Sequence, residues 1–173
     1  YDDAIFHRYD EHDSLIVRLL LSNKISKVMS GASAVIAGNQ YIYDYAINSL
    51  AFNTIIIPTV VDVDLYDNTI VVKNKQFTIV WIGSESTIHY VEKIKGSIIE
   101  ACNKTNGKFV VIGANIHIPD IQLELVDWST ETEKKYLKSS HVGIMPLTDD
   151  NWDKGKCGFK IIQYLASNIP VVA

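Results

Sequence analysis

Hydrophobic positions along this chain recur with two different periods. Over Ser14–Gly31, Leu15, Leu19, Ile25, Val28 and Met29 fall near the helical period, and Gly31 can end the helix. Ala34–Ala37 is a short apolar run, and Gln40–Leu50 again has helical spacing, with tyrosines at 41, 43 and 45. Thr54–Ile57 is a second apolar run, stopped by Pro58, which has no N–H to give a sheet. The first part of the chain is therefore expected to run helix, strand, helix, strand. Thr59–Lys75 (TVVDVDLYDNTIVVKNK) breaks the pattern: Asp62, Asp64 and Asp67 punctuate it, no long helix fits, and it has the character of a linker.

The alternation resumes beyond it. Phe77–Ile82 is rich in residues that suit a buried strand. Gly83-Ser84-Glu85-Ser86-Thr87 follows, with Ser84 or Ser86 able to cap a long helix to about Lys104. Lys108–Ile112 is a strand, 114–122 an irregular connection containing His117, and Leu123–Asp127 a strand. Thr130-Glu131-Thr132-Glu133 has the form of a capping box for a helix to Ser139. Val142–Met145 is a strand, and a helix is expected from Lys156 or Cys157 to Ser167, with Phe159, Ile162, Leu165 and Ala166 on one face. Asn168 suits the left-handed cap conformation, and Pro170–Ala173 begins another strand. Strands alternating with helices predict an α/β protein with doubly wound, Rossmann-like parallel sheets. Residues 1–58 would be the end of one such domain, 59–75 a linker, and 76–173 a second, truncated domain.

Composition narrows the function classes. The 173 residues carry a net charge of −4, which argues against a general nucleic-acid binder. Cys102 and Cys157 provide no disulfide framework and fit a reducing compartment. No run of 18 uncharged apolar residues or signal peptide is present. Because the chain starts at Tyr1 and stops inside an apolar strand, it is expected to be a fragment of a longer protein.

Candidate chemistry concentrates in two loops at expected strand ends. The loop before the last helix carries Asp149, Asp150, Asp153, Lys154, Gly155, Lys156 and Gly158, followed by Lys160. Helix-start N–H groups, glycines that admit a phosphate and nearby lysines suit a diphosphate. A charged surface loop ahead of a core helix is the other reading. The loop after the first strand of the second half, Gly83–Thr87, is either a second phosphate cradle or a plain capped helix start. Asp2, Asp3, His7 and His12 lack metal-ligand spacing and suit a solvated segment.

The run WDKGKCGFKIIQYLASNIPVVA resembles the donor-binding segment of retaining GT-B glycosyltransferases of the "group 1" type, whose usual form is E-G-F-G-x-x-x-x-E-A-x-A-x-G-x-P-V-V-A. Gly158 matches the loop glycine. The first glutamate falls on Gly155, the second on Gln163, and the glycine before P-V-V-A on Asn168. This is similar to a branch with G-K-C-G-F-K and Q-Y in place of the glutamate pair. The Arg and Lys that the family places after the first strand's glycine are Ser84 and His89 here.

The resemblance implies a metal-independent, hexosyltransferase-like enzyme that needs no cofactor. It would transfer a sugar, with retention, from a nucleotide-diphosphate sugar to an unidentified saccharide or lipid-linked acceptor, in polysaccharide or glycoconjugate biosynthesis. Gly83, Ser84, Thr87, Lys156, Gly158 and Lys160 would hold the diphosphate and Gln163 the ribose. Asp149, Asp150 or Asp153 would meet the sugar, and no catalytic base is assigned. A cytoplasmic protein is implied, with peripheral contact at the inner membrane face through segments preceding Tyr1, and the fragment alone is expected to be inactive. The alternative is a degenerate nucleotide-sugar-binding domain without transferase activity.

Overall fold

A computed structural model of the chain describes residues 1–67 and 72–173. In chain order the elements are α1 (His7–Asp10), α2 (Leu15–Leu21), α3 (Lys24–Ser30), β1 (Val35–Ala37), α4 (Gln40–Asn48), β2 (Thr54–Ile56), α5 (Asp64–Asp67), β3 (Thr78–Ile82), α6 (Ile88–Lys93), α7 (Lys95–Thr105), β4 (Lys108–Ile112), β5 (Gln122–Val126), α8 (Thr130–Ser139), β6 (Val142–Ile144), α9 (Asn151–Lys154), α10 (Phe159–Ala166) and β7 (Val171–Val172). The protein is α/β. It divides into two compact units, Tyr1–Val60 with Thr148–Gly158, and Val61–Leu147 with Phe159–Ala173. The loop 148–158 thus groups with the first unit. Of the expected linker, residues 68–71 lie outside the described residues.

In the first unit β1 and β2 pair in parallel, Val35 opposite Thr54. Phe6, Met29, Val35, Ile42 and Ala46 form its core. The single helix expected over Ser14–Gly31 is two, α2 and α3, broken at Ser22-Asn23. Asn23, with φ −90° and ψ 9°, leaves the helical conformation at the break. It separates the two halves of the apolar stripe: Ile25 and Met29 are buried, whereas Leu15 and Leu19 are exposed.

The second unit holds an all-parallel sheet in the order β5-β4-β3-β6-β7. β3 is central and buried along its length. Its alternating side chains serve opposite faces, as a strand's geometry requires. Ile79 and Trp81 join Phe109, Val111, Val91 and Ile98 on the face under α6 and α7. Val80 and Ile82 join Val110, Ile112, Leu137 and Tyr164 on the face under α8 and α10. Helices on both faces make the unit doubly wound and Rossmann-like. The strand order runs outward from β3 to β5, then returns to β6 on the other side of β3, which puts the topological switch point between β3 and β6.

At that point the ladder is short: Ile79 pairs with Val142 and Val80 with Gly143. Beyond it the Tyr164 hydroxyl sits between the strands, accepting from Ile82 N and donating to Ile144 O, each at 3.2 Å. Gly143 makes room for this ring, since a Cβ there would come within 2.5 Å of it. Tyr164 and Gln163 are therefore the buried residues of α10, while Phe159 and Leu165 of the expected apolar face are exposed. The helix begins at Phe159 rather than at Lys156 or Cys157, and Asn168 takes the expected left-handed conformation with φ 56°.

Two further helix starts differ from expectation. The long helix after β3 is α6 and α7, divided at Ile94. Neither Ser84 nor Ser86 caps it: Thr87 is the N-cap residue and makes no side-chain cap bond, because its hydroxyl is engaged with Ser84. The capping box of α8 is formed by Ser129 and Thr132, one residue earlier than Thr130–Glu133. Glu133 is thereby released from the cap and turns inward.

Candidate functional site

Within the second unit, a cavity of about 460 Å³ opens at the carboxyl edge of the sheet. Ile82, Gly83 and Ser84 line it from the end of β3, Gly113 from β4 and Trp128 from β5. Glu133 of α8 and Phe159, Lys160 and Gln163 of α10 complete it. Parallel strands bring their carboxyl ends together with the helix starts that follow, which is why open α/β sheets bind ligands at this edge.

The loop after β3 is tightly built. Gly83 has no space for a side chain: a Cβ would lie 2.2 Å from the Trp81 ring and 2.9 Å from Thr87 Oγ1. Its N–H donates to Ile112 O at 3.0 Å. The Ser84 N–H donates to Thr87 Oγ1 at 3.1 Å, and that hydroxyl donates back to Ser84 O at 3.0 Å. Thr87 is thus the brace of this loop, and the N–H groups of Gly83 and Ser84 already have protein acceptors. Among the described residues lining the cavity, Lys160 is the one cation. Its Nζ stands 5.8 Å from the centroid of the Trp81 ring.

A buried polar network forms another wall. Gln163 Nε2 donates to Glu133 Oε1 at 2.8 Å and to Tyr66 OH at 2.9 Å. Tyr66 OH donates to Glu133 Oε1 at 3.0 Å, and Trp128 Nε1 donates to Glu133 Oε2 at 2.8 Å. Burial raises the Tyr66 phenol above its usual range; the bond from Gln163 lowers it and Glu133 raises it further. The net shift is upward, in favour of the protonated phenol that donates to the carboxylate. Both donor positions of the Gln163 amide are occupied, so its carbonyl oxygen is the atom left to meet a ligand.

The structure thus brings Gly83, Ser84, Lys160 and Gln163 into one cavity, with Thr87 supporting it. Asp149, Asp150, Asp153, Lys156 and Gly158 fall in the loop 148–158 of the first unit. There Asp150 caps α9, accepting from Asp153 N at 2.8 Å. The buried Asp153 accepts from Thr148 N at 2.7 Å, and Lys156 Nζ lies 3.8 Å from its other oxygen. Asp149 and Gly158 take positive φ angles, 55° and 68°. Asn39 caps α4 through Oδ1 and donates to Gly155 O at 2.9 Å, tying the loop to its unit. At Gly155 a Cβ would lie 2.3 Å from Ala4 Cβ, so no side chain, acidic or otherwise, fits there.

Sequence reasoning missed Glu133, Trp128 and Tyr66. The signal for Glu133 was present: it precedes the fully buried Leu137 by four residues and so shares its helix face. A charge on an apolar face is a candidate for a buried network. His7, placed by sequence in a solvated segment, is instead bonded through its ring nitrogens to Asp10 and Tyr41, at 2.8 and 2.9 Å. Among the described residues no cluster of three His, Cys, Asp or Glu side chains could hold a metal ion, and no helix is long and apolar enough to cross a membrane. No protein-family model and no curated protein matches the chain.

Proposed function

We propose that the second unit binds a nucleotide-diphosphate sugar at the carboxyl-edge cavity, and that the protein is a retaining glycosyltransferase of GT-B type. The observation that carries this is the convergence of Gly83, Ser84, Lys160 and Gln163 in one cavity at the edge where Rossmann-like sheets take nucleotides. Lys160 would neutralise charge on the diphosphate, which grows on the leaving group as the glycosidic bond breaks. The Gln163 carbonyl oxygen would accept from a ribose hydroxyl. The acceptor is a saccharide or a lipid-linked glycan, and the latter would bring a cytoplasmic protein to a membrane face.

One observation favours the second reading, a nucleotide-sugar-binding domain without turnover. The two acidic positions of the group 1 pattern are a glycine packed on Ala4 and a glutamine whose donors are committed to Glu133 and Tyr66. Titration of UDP-, GDP- and ADP-sugars into the intact protein, followed by a turnover assay with the sugar that binds, separates the two. Binding with transfer supports the enzyme, binding without transfer supports the second reading, and absence of binding rejects both.

A further inference from the structure

The cavity has two chemically different ends. Lys160 stands over Trp81 of β3, near the switch point. Trp128 stands just beyond the end of β5, two strands away in the sheet order. Adjacent strands are about 4.8 Å apart, so the two ends are separated by roughly 10 Å. One end carries the cation, with Phe159 next to it in the chain, and the other the exposed indole of Trp128.

Trp128 is unusual for a surface tryptophan. It is 59% exposed, yet its indole N–H is removed from solvent and donated to the buried Glu133. Glu133 is fixed in turn by Tyr66 and Gln163. The ring's polar edge is held while much of its apolar surface stays open. Its rotamer is set before any ligand arrives, so a stacking partner need not order it. The backbone below is equally constrained: Gly113 has φ +84°, and a Cβ there would come 2.4 Å from Gly83 O and 3.3 Å from Trp128 Cβ. An ordered, accessible aromatic ring in the wall of a concave site is a binding feature.

We propose that Trp128 is the stacking platform for the nucleobase of the bound nucleotide, and so a determinant of donor affinity. This rests on the nucleotide reading of the cavity. A nucleoside diphosphate has an anionic end and a planar aromatic end joined through a ribose, which matches the cavity's polarity from β3 to β5. Phosphate alone would use the Lys160 end and gain nothing from Trp128.

The test is calorimetric titration of UDP, GDP, ADP and inorganic pyrophosphate into the parent, Trp128→Ala and Trp128→Phe proteins, with folding checked by melting temperature. Base–aromatic stacking predicts that Trp128→Ala weakens the preferred nucleoside diphosphate roughly five- to a hundredfold, while pyrophosphate affinity is unchanged. Trp128→Phe, which keeps a ring but loses the Glu133 bond that orders it, should bind more weakly than the parent and more tightly than Trp128→Ala. Nucleotide should quench indole fluorescence in the parent, and Trp128→Phe should lose that quenching while still binding. Parent-like nucleotide affinity in Trp128→Ala, or an equal loss of nucleotide and pyrophosphate, would overturn the proposal. A parent that binds pyrophosphate but no nucleotide would overturn it too, and one that binds neither would overturn the nucleotide reading on which it rests.

Discussion

Gln163 donates its side-chain amide to the buried carboxylate of Glu133 at 2.8 Å, across 30 residues of sequence. The pair also holds Tyr66 and Trp128, so one carboxylate organises three donors. Removing the acceptor should therefore cost more than removing one donor. Glu133→Ala leaves three donors without their partner and is expected to lose about 2–3 kcal/mol; Gln163→Ala should lose about 1–1.5 kcal/mol. Thermal unfolding measures both, and a Gln163→Ala loss larger than that of Glu133→Ala would contradict the arrangement.

Tyr164→Phe keeps the ring against Gly143 but removes the hydroxyl between Ile82 N and Ile144 O. Two buried backbone groups lose their partner where the β3–β6 ladder has ended. The expected loss is about 1–3 kcal/mol, read by urea unfolding. A neutral substitution would mean that water or a strand shift replaces the hydroxyl without cost.

Gly155 and Gly96 make an opposed pair. A Cβ on Gly155 would meet Ala4 Cβ at 2.3 Å, whereas one on Gly96, inside α7, would meet nothing within 4 Å. Gly155→Ala should destabilise by about 1–3 kcal/mol through overpacking. Gly96→Ala should stabilise by up to about 1 kcal/mol through helix propensity. Melting curves of the two variants should shift in opposite directions.

The two loop lysines should also separate. Lys160 lines the cavity, whereas Lys156 is set in the loop of the first unit near Asp153. On the nucleotide reading, Lys160→Ala should weaken nucleoside-diphosphate binding roughly ten- to a hundredfold, the worth of a charge-assisted phosphate contact. Lys156→Ala should act first on the stability of its loop. Calorimetric titration that found the reverse order of affinities would move the phosphate site away from Lys160.

Acid should destabilise the protein through His141. Burial, and then the charge of Lys73, hold its imidazole below the ordinary value of 6.5. In the folded state its Nδ1 accepts from Thr78 N at 3.1 Å, which requires the unprotonated nitrogen. A depressed folded-state pKa contributes stability that is present above pH 6.5 and lost as pH falls through the folded value. Tm measured between pH 7.5 and 5 should drop, and His141→Asn, which keeps an acceptor, should flatten that drop. At the other extreme, the bond to Glu124, with burial, raises the Tyr136 phenol to about 12. Its contribution is complete below pH 10 and lost as pH climbs towards 12.

What the sequence determined by itself is the alternation of strands and helices and the loops between them. Phe77–Ile82, Lys108–Ile112 and Val142–Met145 were legible because a buried parallel strand must be apolar on both faces. Asn168 was legible because few residues take the left-handed conformation. These are local constraints, set by backbone geometry and the period of side chains. Tertiary structure decided which side chains meet. The inward turn of Glu133 depends on Ser129 and Thr132 closing the cap without it, and on Tyr66, Trp128 and Gln163, distant in sequence, supplying its donors. The burial of Tyr164 over Phe159 follows from the switch point between β3 and β6, a property of strand order rather than of the α10 sequence. A buried polar group is stable only where its partners converge, and that convergence is long-range.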